Sequence, residues 1–304
     1  MAAQNDTLFE RFLAPVFGSL LLDRDAMLRH RNAVDWEAEC DRLQAANFSY
    51  PEYYLSQNFH GITKGYLTPD AAVTYDPITR YALPPNEDWV RQALVGKVAG
   101  TPRRILDLGC GTGSTALHLK RAFPNAAVVG LDLSPYMLLV AQQKAREACL
   151  EIEFRHGAAE ATGCADQSFD LVTASLLFHE TPPAVAQAIL REGFRVLQPG
   201  GQALILDGCQ STLRDAAWLT TIFEEPYMED YAKGSTDAWM GAAGFDAVRT
   251  DEFWWVHQVT SGVKPLAAGE RDRVGQAAAQ PVGDVLGNGL LDDGLLGDGQ
   301  WAAV

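Results

Sequence analysis

Basic residues are scarce in this sequence. Its 304 residues carry 24 Lys and Arg against 39 Asp and Glu, a formal net charge of −15 at pH 7. Such a field repels polyanions, and no Lys/Arg cluster of the kind that neutralises phosphates interrupts it. No nucleic-acid partner is therefore expected. Cysteine is sparse and irregular: Cys40, Cys110, Cys149, Cys164 and Cys209 form no C-x-x-C pair. An odd, unpatterned set indicates neither a disulfide framework nor a zinc site. Reduced thiols in a cytoplasmic protein, and no metal, are the expectation. Long apolar runs are missing too. No stretch reaches the ~20 residues of a membrane helix, so no integral membrane segment is expected. The opening MAAQNDTLFERFL lacks the basic start and apolar run of a secretory signal.

What is present is a 47% hydrophobic chain, ordinary for a globular protein, that divides into three regions. Residues 1–100 read as a helical and aromatic cap. Phe9, Phe12, Leu13 and Val16 fall at helical spacing. YPEYYLSQNFHGITKGYL and TYDPITRYALPP then crowd Tyr, Phe and Pro with little periodicity, as a lid over a site would. Residues 101–260 alternate between short apolar runs and helical patterns. The spacing predicts strands at 105–108, 126–133, 151–155, 169–177 and 202–206. It predicts helices at 88–98, 114–123, 135–148 and 184–197, with Ser134 as N-cap and Pro135 at the first helical position. A mainly helical stretch at 211–243, with a loop through 224–234, precedes two more strands at 245–250 and 253–259, divided by Asp251-Glu252. The expected fold is α/β: a doubly wound, mostly parallel seven-stranded sheet of Rossmann-like type. Residues 261–304, rich in Gly and Asp, read as a weakly ordered tail.

Chemistry concentrates in ILDLGCGTG, residues 105–113. It falls where the first strand hands over to a helix, at the sheet edge where open α/β folds bind ligands. Gly109, Gly111 and Gly113 permit a tight turn and close ligand approach. The spacing is D-x-G-x-G-x-G rather than the G-x-G-x-x-G of a pyrophosphate site, and Asp107 ends the strand. S-adenosylmethionine (SAM) has no phosphate but carries an ammonium and a sulfonium, which suit an acid there. Asp132, at the end of the second strand, is placed to accept ribose hydroxyls.

With GLDLS, GAAEATGCADQSFDLVTASLLFHE and VLQPGG following in order, residues 100–210 resemble the class I SAM-dependent methyltransferases. Within them the chain is similar to the group that includes the ubiquinone/menaquinone C-methyltransferases. The resemblance implies that Asp107 serves the methionine ammonium and that the backbone of Gly109, Cys110 and Gly111 meets the amino-acid part. Asp132 would hold the ribose and Leu133 would pack on adenine. Ala158 stands where the family often has an Asp, which leaves Ala159 or Glu160 to meet the adenine amino group.

The implied reaction is in-line methyl transfer to a small apolar or aromatic acceptor, such as a quinol, phenol or isoprenoid-like molecule. His179, just past the fourth strand, and His60, in the aromatic segment, are the candidate bases, against the more ordinary readings of His179 as a histidine that holds a loop through hydrogen bonds and His60 as a lid packing residue. Tyr54, Phe59, Tyr66 and Tyr75 are candidate acceptor walls. Two other readings stay open: a SAM-binding regulatory protein without turnover, and a NAD-type dehydrogenase. A nucleic-acid methyltransferase ranks behind both. Oligomeric state is not legible.

Overall fold

The computed structural model describes residues 24–59, 64–82, 85–216, 218 and 226–266. The candidate helix at residues 9–16, His60, and the tail beyond 266 lie outside the described residues. Among the described residues, five helices precede the sheet: α1 (Arg24–Ala33), α2 (Trp36–Leu43), α3 (Glu52–Leu55), α4 (Pro69–Ala82) and α5 (Glu87–Val95). Then follow β1 (Arg104–Leu108), α6 (Ser114–Ala122), β2 (Ala127–Asp132), α7 (Pro135–Glu147), β3 (Glu153–His156) and β4 (Phe169–Ser175). The chain continues through α8 (Pro183–Val196), β5 (Leu197–Gly208), α9 (Gln210–Asp215), α10 (Met228–Lys233), α11 (Thr236–Ala243), β6 (Asp246–Phe253) and β7 (His257–Val263).

The strands form one seven-stranded sheet in the order β3-β2-β1-β4-β5-β7-β6. Strands β1 to β5 are parallel, and β7 is antiparallel to both β5 and β6. Alternation along each strand feeds two cores. Ile105, Val128, Leu171 and Leu204 join the cluster formed with α5, α6 and α7. Their neighbours Leu106, Val129, Val172 and Ile205 join the cluster on the opposite face, with α8 and α10. Each fully buried side chain of this kind contributes about 1.5–3 kcal/mol. The chain leaves β1 toward β2 and β3, then returns to place β4 on β1's other side, and this reversal opens a crevice at the carboxyl ends of β1 and β4.

Ser134 caps α7 by accepting from the Met137 N–H, with Pro135 in the first turn, as the sequence predicts. Several boundaries differ from expectation, and residues 261–263, expected in the tail, instead complete β7. Strand β5 starts at Leu197, which pairs with Phe169 before the Pro199–Gly201 segment shifts the register. Residues 224–234 are not all loop, because Met228, Tyr231 and Ala232 form the buried face of α10. Strand β6 runs through Asp251 and Glu252, and the turn falls at Trp254 and Trp255, both with positive φ. The two acids stay in the strand because Asp251 accepts from Lys97 Nζ at 2.9 Å and Glu252 from Ser211 Oγ at 2.8 Å.

The segment before β1 builds a cluster of its own. Trp36, Tyr54, Phe59 and Tyr66 pack with Met137, Leu139 and Val140 of α7. His156, at the end of β3, pins this cap to the sheet: its Nδ1 accepts the Ala45 N–H at 3.2 Å and its Nε2–H donates to Leu133 O at 2.9 Å. Asp76 on α4 is a second tie, accepting from Thr112 Oγ1 and, at 2.7 Å, from Lys144 Nζ.

Candidate cofactor and acceptor cleft

The crevice at the β1/β4 reversal is a cleft of about 710 Å³, open mouth included. Its floor is the glycine turn after β1. Gly109 has φ +61, and a Cβ there would meet the Leu177 side chain at 2.7 Å. At Gly111, φ is +52 and nothing lies within 4 Å of where a Cβ would sit, so this part of the turn is open. Gly113 differs: it is the N-cap of α6, and a Cβ would meet Ala141 and Phe154 at 3.0 Å. It packs helix to sheet and is not part of the cleft wall.

Two carboxylates flank the turn. Asp107 Oδ1 accepts from Thr173 Oγ1 at 2.7 Å, while the buried Oδ2 has no intramolecular hydrogen-bond partner. Burial pushes the Asp107 carboxyl up to about 7, against the pull of Thr173 and Arg91. Asp132 spans the turn and the next helix: Oδ2 accepts from Gly111 N and Oδ1 from Ser134 N, both at 2.8 Å. Burial raises it to about 6 despite those bonds. Each of its oxygens keeps a second lone pair for a ligand hydroxyl.

A buried cation faces these acids from the cap. Arg91 on α5 donates to Glu87 Oε1 at 2.8 Å and to Thr115 Oγ1 at 2.6 Å. Burial pushes the Glu87 carboxyl up, but the Arg91 guanidinium overrides it and holds the group below its ordinary value.

The cap supplies aromatic walls. Tyr54, Tyr66 and Tyr75 line the cleft, joined by Tyr53. Phe59 stands behind them, its ring 5.5 Å from that of Tyr54 and 5.7 Å from that of Tyr66. Burial raises the hydroxyls of Tyr54 and Tyr75 well above their ordinary value. Cys110, Leu133 and Ala159 also line the cleft, whereas Glu160 sits outside that lining with a buried Oε2 lacking a hydrogen-bond partner. Burial pushes the Cys110 thiol well up, so it is held as a neutral wall residue.

His179 is buried beside the cleft, not in its lining. Its Nδ1–H donates to Asp207 Oδ1 at 2.6 Å, and the neighbouring Glu180 lines the cleft. Sequence reasoning missed Tyr53, Arg91, Thr115 and Asp207. The first three lie outside any strand-end motif. Asp207, however, ends the apolar run ALILD as Asp132 ends VVGLD, and that parallel was a usable signal.

The donor set fits SAM. An ammonium would complete Asp107 Oδ2, the open face of Gly111 admits a backbone-close ligand, and Asp132 has lone pairs free for a diol. Among the described residues no group of His, Cys, Asp or Glu is arranged to hold a metal ion.

Comparison with known proteins agrees. Residues 105–201 match the methyltransferase domain family, and the seven-stranded sheet has a Rossmann-like methyltransferase fold. The chain is 41% identical over 119 residues to the demethylmenaquinone methyltransferase of Thermus thermophilus, an overlap of 39% of this chain and 53% of that protein. To the Deinococcus radiodurans protein of the same name it is 38% identical over 137 residues, 45% of this chain and 56% of that one. The chain thus spans about half the length of the curated relatives it matches. The SAM-dependent methyltransferase SibL superposes with a TM-score of 0.52 at 19% identity, over 83% of this chain and 72% of that one, a likeness of fold.

Proposed function

We propose that this protein is a SAM-dependent methyltransferase acting on a small apolar or aromatic molecule of the quinol or phenol class. The observation that carries this is the pair Asp107 and Asp132 on either side of a glycine turn at the sheet's reversal point. In this reading Asp107 and the Gly109–Gly111 backbone hold the amino-acid end, and Asp132 the ribose. Leu133 and Ala159 border the adenine, with Glu160 nearby. Arg91 has N–H groups beyond those given to Glu87 and Thr115, and these serve the carboxylate end.

Bound SAM would supply a methyl group already activated on a sulfonium. The protein's part is to hold the acceptor in line and keep water out, and positioning of this kind supplies up to about 7–11 kcal/mol. The described residues before β1 act as the lid, with Tyr54, Tyr66 and Tyr75 as the acceptor wall and Phe59 as their backing. The demethylmenaquinone named for the relatives is an aromatic, apolar acceptor of the kind such a wall suits.

Calorimetric titration with SAM, with NADH as control and Asp132→Ala alongside, tests the reading. Micromolar SAM binding that is lost in the variant is the expected result. Binding of NADH in place of SAM would overturn it.

A further inference from the structure

Buried Tyr66, His179 and Asp207 and the partly buried Glu180, from three parts of the chain, form a line that ends at the cleft wall. Tyr66 Oη, from the cap, donates to Glu180 Oε1 at 2.6 Å. His179 Nε2 lies 3.9 Å from the same oxygen. On its far side, His179 Nδ1–H donates to Asp207 Oδ1. Asp207 is fixed in turn by the Phe178 N–H at 2.8 Å and the Gly208 N–H at 2.7 Å. Side-chain exposure falls along the line, from 13% at Glu180 to 9% at His179 and 1% at Asp207. Only Tyr66 and Glu180 reach the cleft wall.

A loop anchor needs none of this. Tyr66 is already held through its backbone, whose carbonyl accepts from Ser134 Oγ at 2.6 Å. Glu180 shares the cleft wall with Tyr53, Tyr54, Tyr75 and Asp132. A carboxylate that faces a cleft beside an oriented histidine is a recurrent proton-transfer arrangement.

We propose that Glu180 is the group that takes the acceptor's proton during methyl transfer, with Tyr66 and the His179–Asp207 pair as positioning residues. This rests on the methyltransferase reading above. Tyr66 holds Oε1 toward the cleft. Asp207 fixes the imidazole tautomer, which keeps Nε2 turned to Glu180. In the step, an acceptor O–H bond breaks and a Glu180 carboxyl O–H bond forms. The electron pair left on the acceptor makes the new bond to the methyl carbon, at oxygen or at a conjugated ring carbon. Sulfur keeps the pair of the broken C–S bond. At carbon, the ring C–H proton is then lost as the ring regains aromaticity and the acceptor O–H is restored, so one proton is released per turnover in either case. The acceptor must therefore carry a weakly acidic hydroxyl.

The test uses the full chain, SAM, 1,4-naphthohydroquinone as acceptor probe and its dimethyl ether as the probe without the acidic proton. Methylation of the hydroquinone and not of the ether is expected. Glu180→Gln should lower kcat by about 10²–10⁴ with SAM affinity, and the ratio of SAM to S-adenosylhomocysteine affinity, unchanged. Glu180→Asp should restore part of the rate. His179→Gln should lower kcat while leaving the KM for the hydroquinone in place. Wild-type kcat in Glu180→Gln would overturn the proposal. So would a selective loss of SAM over S-adenosylhomocysteine in that variant, which would make Glu180 a sulfonium counter-ion. Equal methylation of the ether, or no transfer to the hydroquinone by an enzyme that binds SAM, would also overturn it. Failure of the wild type to bind SAM at all would instead remove the methyltransferase reading beneath it.

Discussion

In the proposed function, the buried carboxyl of Asp107 would link cofactor binding to pH. Its ordinary value of 3.8 is raised to about 7 by burial. In the ligand-free protein the folded state therefore holds this proton more tightly than the unfolded chain does. The stability this contributes is complete below the ordinary value and is lost as pH rises through about 7. An ammonium requires the ionised form, so binding SAM below about 7 must expel the proton. SAM affinity should weaken by up to about tenfold per pH unit as pH falls below that value. Calorimetry in two buffers of different ionisation enthalpy should record proton release on binding, and Asp107→Asn should abolish it. A flat affinity between pH 6 and 8 would count against the assignment.

Asp107 and Asp132 were legible because each ends an apolar run beside a glycine or a helix start, where local spacing alone fixes the position. Arg91 was not. Its side chain reaches the cleft only because α5 folds back onto α6, and that is a tertiary fact with no local signature. Tyr53 was missed for a related reason: four aromatics in seven residues, 48–54, cannot be sorted into wall and backing without the turn of α3.

At the scale of elements, the parallel strands β1, β2 and β4 were legible as short apolar runs because both faces of each are covered and they are buried almost throughout. The β6–β7 turn was misplaced because it uses Trp254 and Trp255 at positive φ, where glycine or asparagine is the usual marker. Similarly, the cap helix α4 contains Pro77, which argues against a helix in sequence. The cap's attachment at His156 leads to a further expectation. Burial lowers its pKa from 6.5, and protonation would place a second N–H against the Ala45 N–H. The junction is intact above the ordinary value and weakens as pH falls through the folded one. A His156→Gln variant should thus lose the part of the fall in Tm below about pH 6.5 that the wild type shows. Identical Tm profiles for the two proteins would rule out the pin as a pH-sensitive joint.

For the molecule as a whole, a net charge of −15 means self-repulsion in the compact state. Raising ionic strength from 0.01 to 0.15 M shortens the screening length from about 30 to about 8 Å. Tm should rise over that range and level off above it. A falling Tm would mean that the described ion pairs, such as Lys97 with Asp251 and Lys144 with Asp76, outweigh the overall repulsion.

Helix α7 belongs to two clusters at once. Leu138, Ala141 and Ala145 turn toward the sheet, while Met137, Leu139 and Val140 turn toward the cap, and Tyr136 stacks on Trp36 with ring centroids 6.2 Å apart. The seam between the cap and the sheet thus does not coincide with the boundary in the chain at residue 100. In the proposed function, a chimera that transplants residues 1–100 onto another methyltransferase, to import its choice of acceptor, would bring only half of the joint. The outward face of α7 has to travel with it.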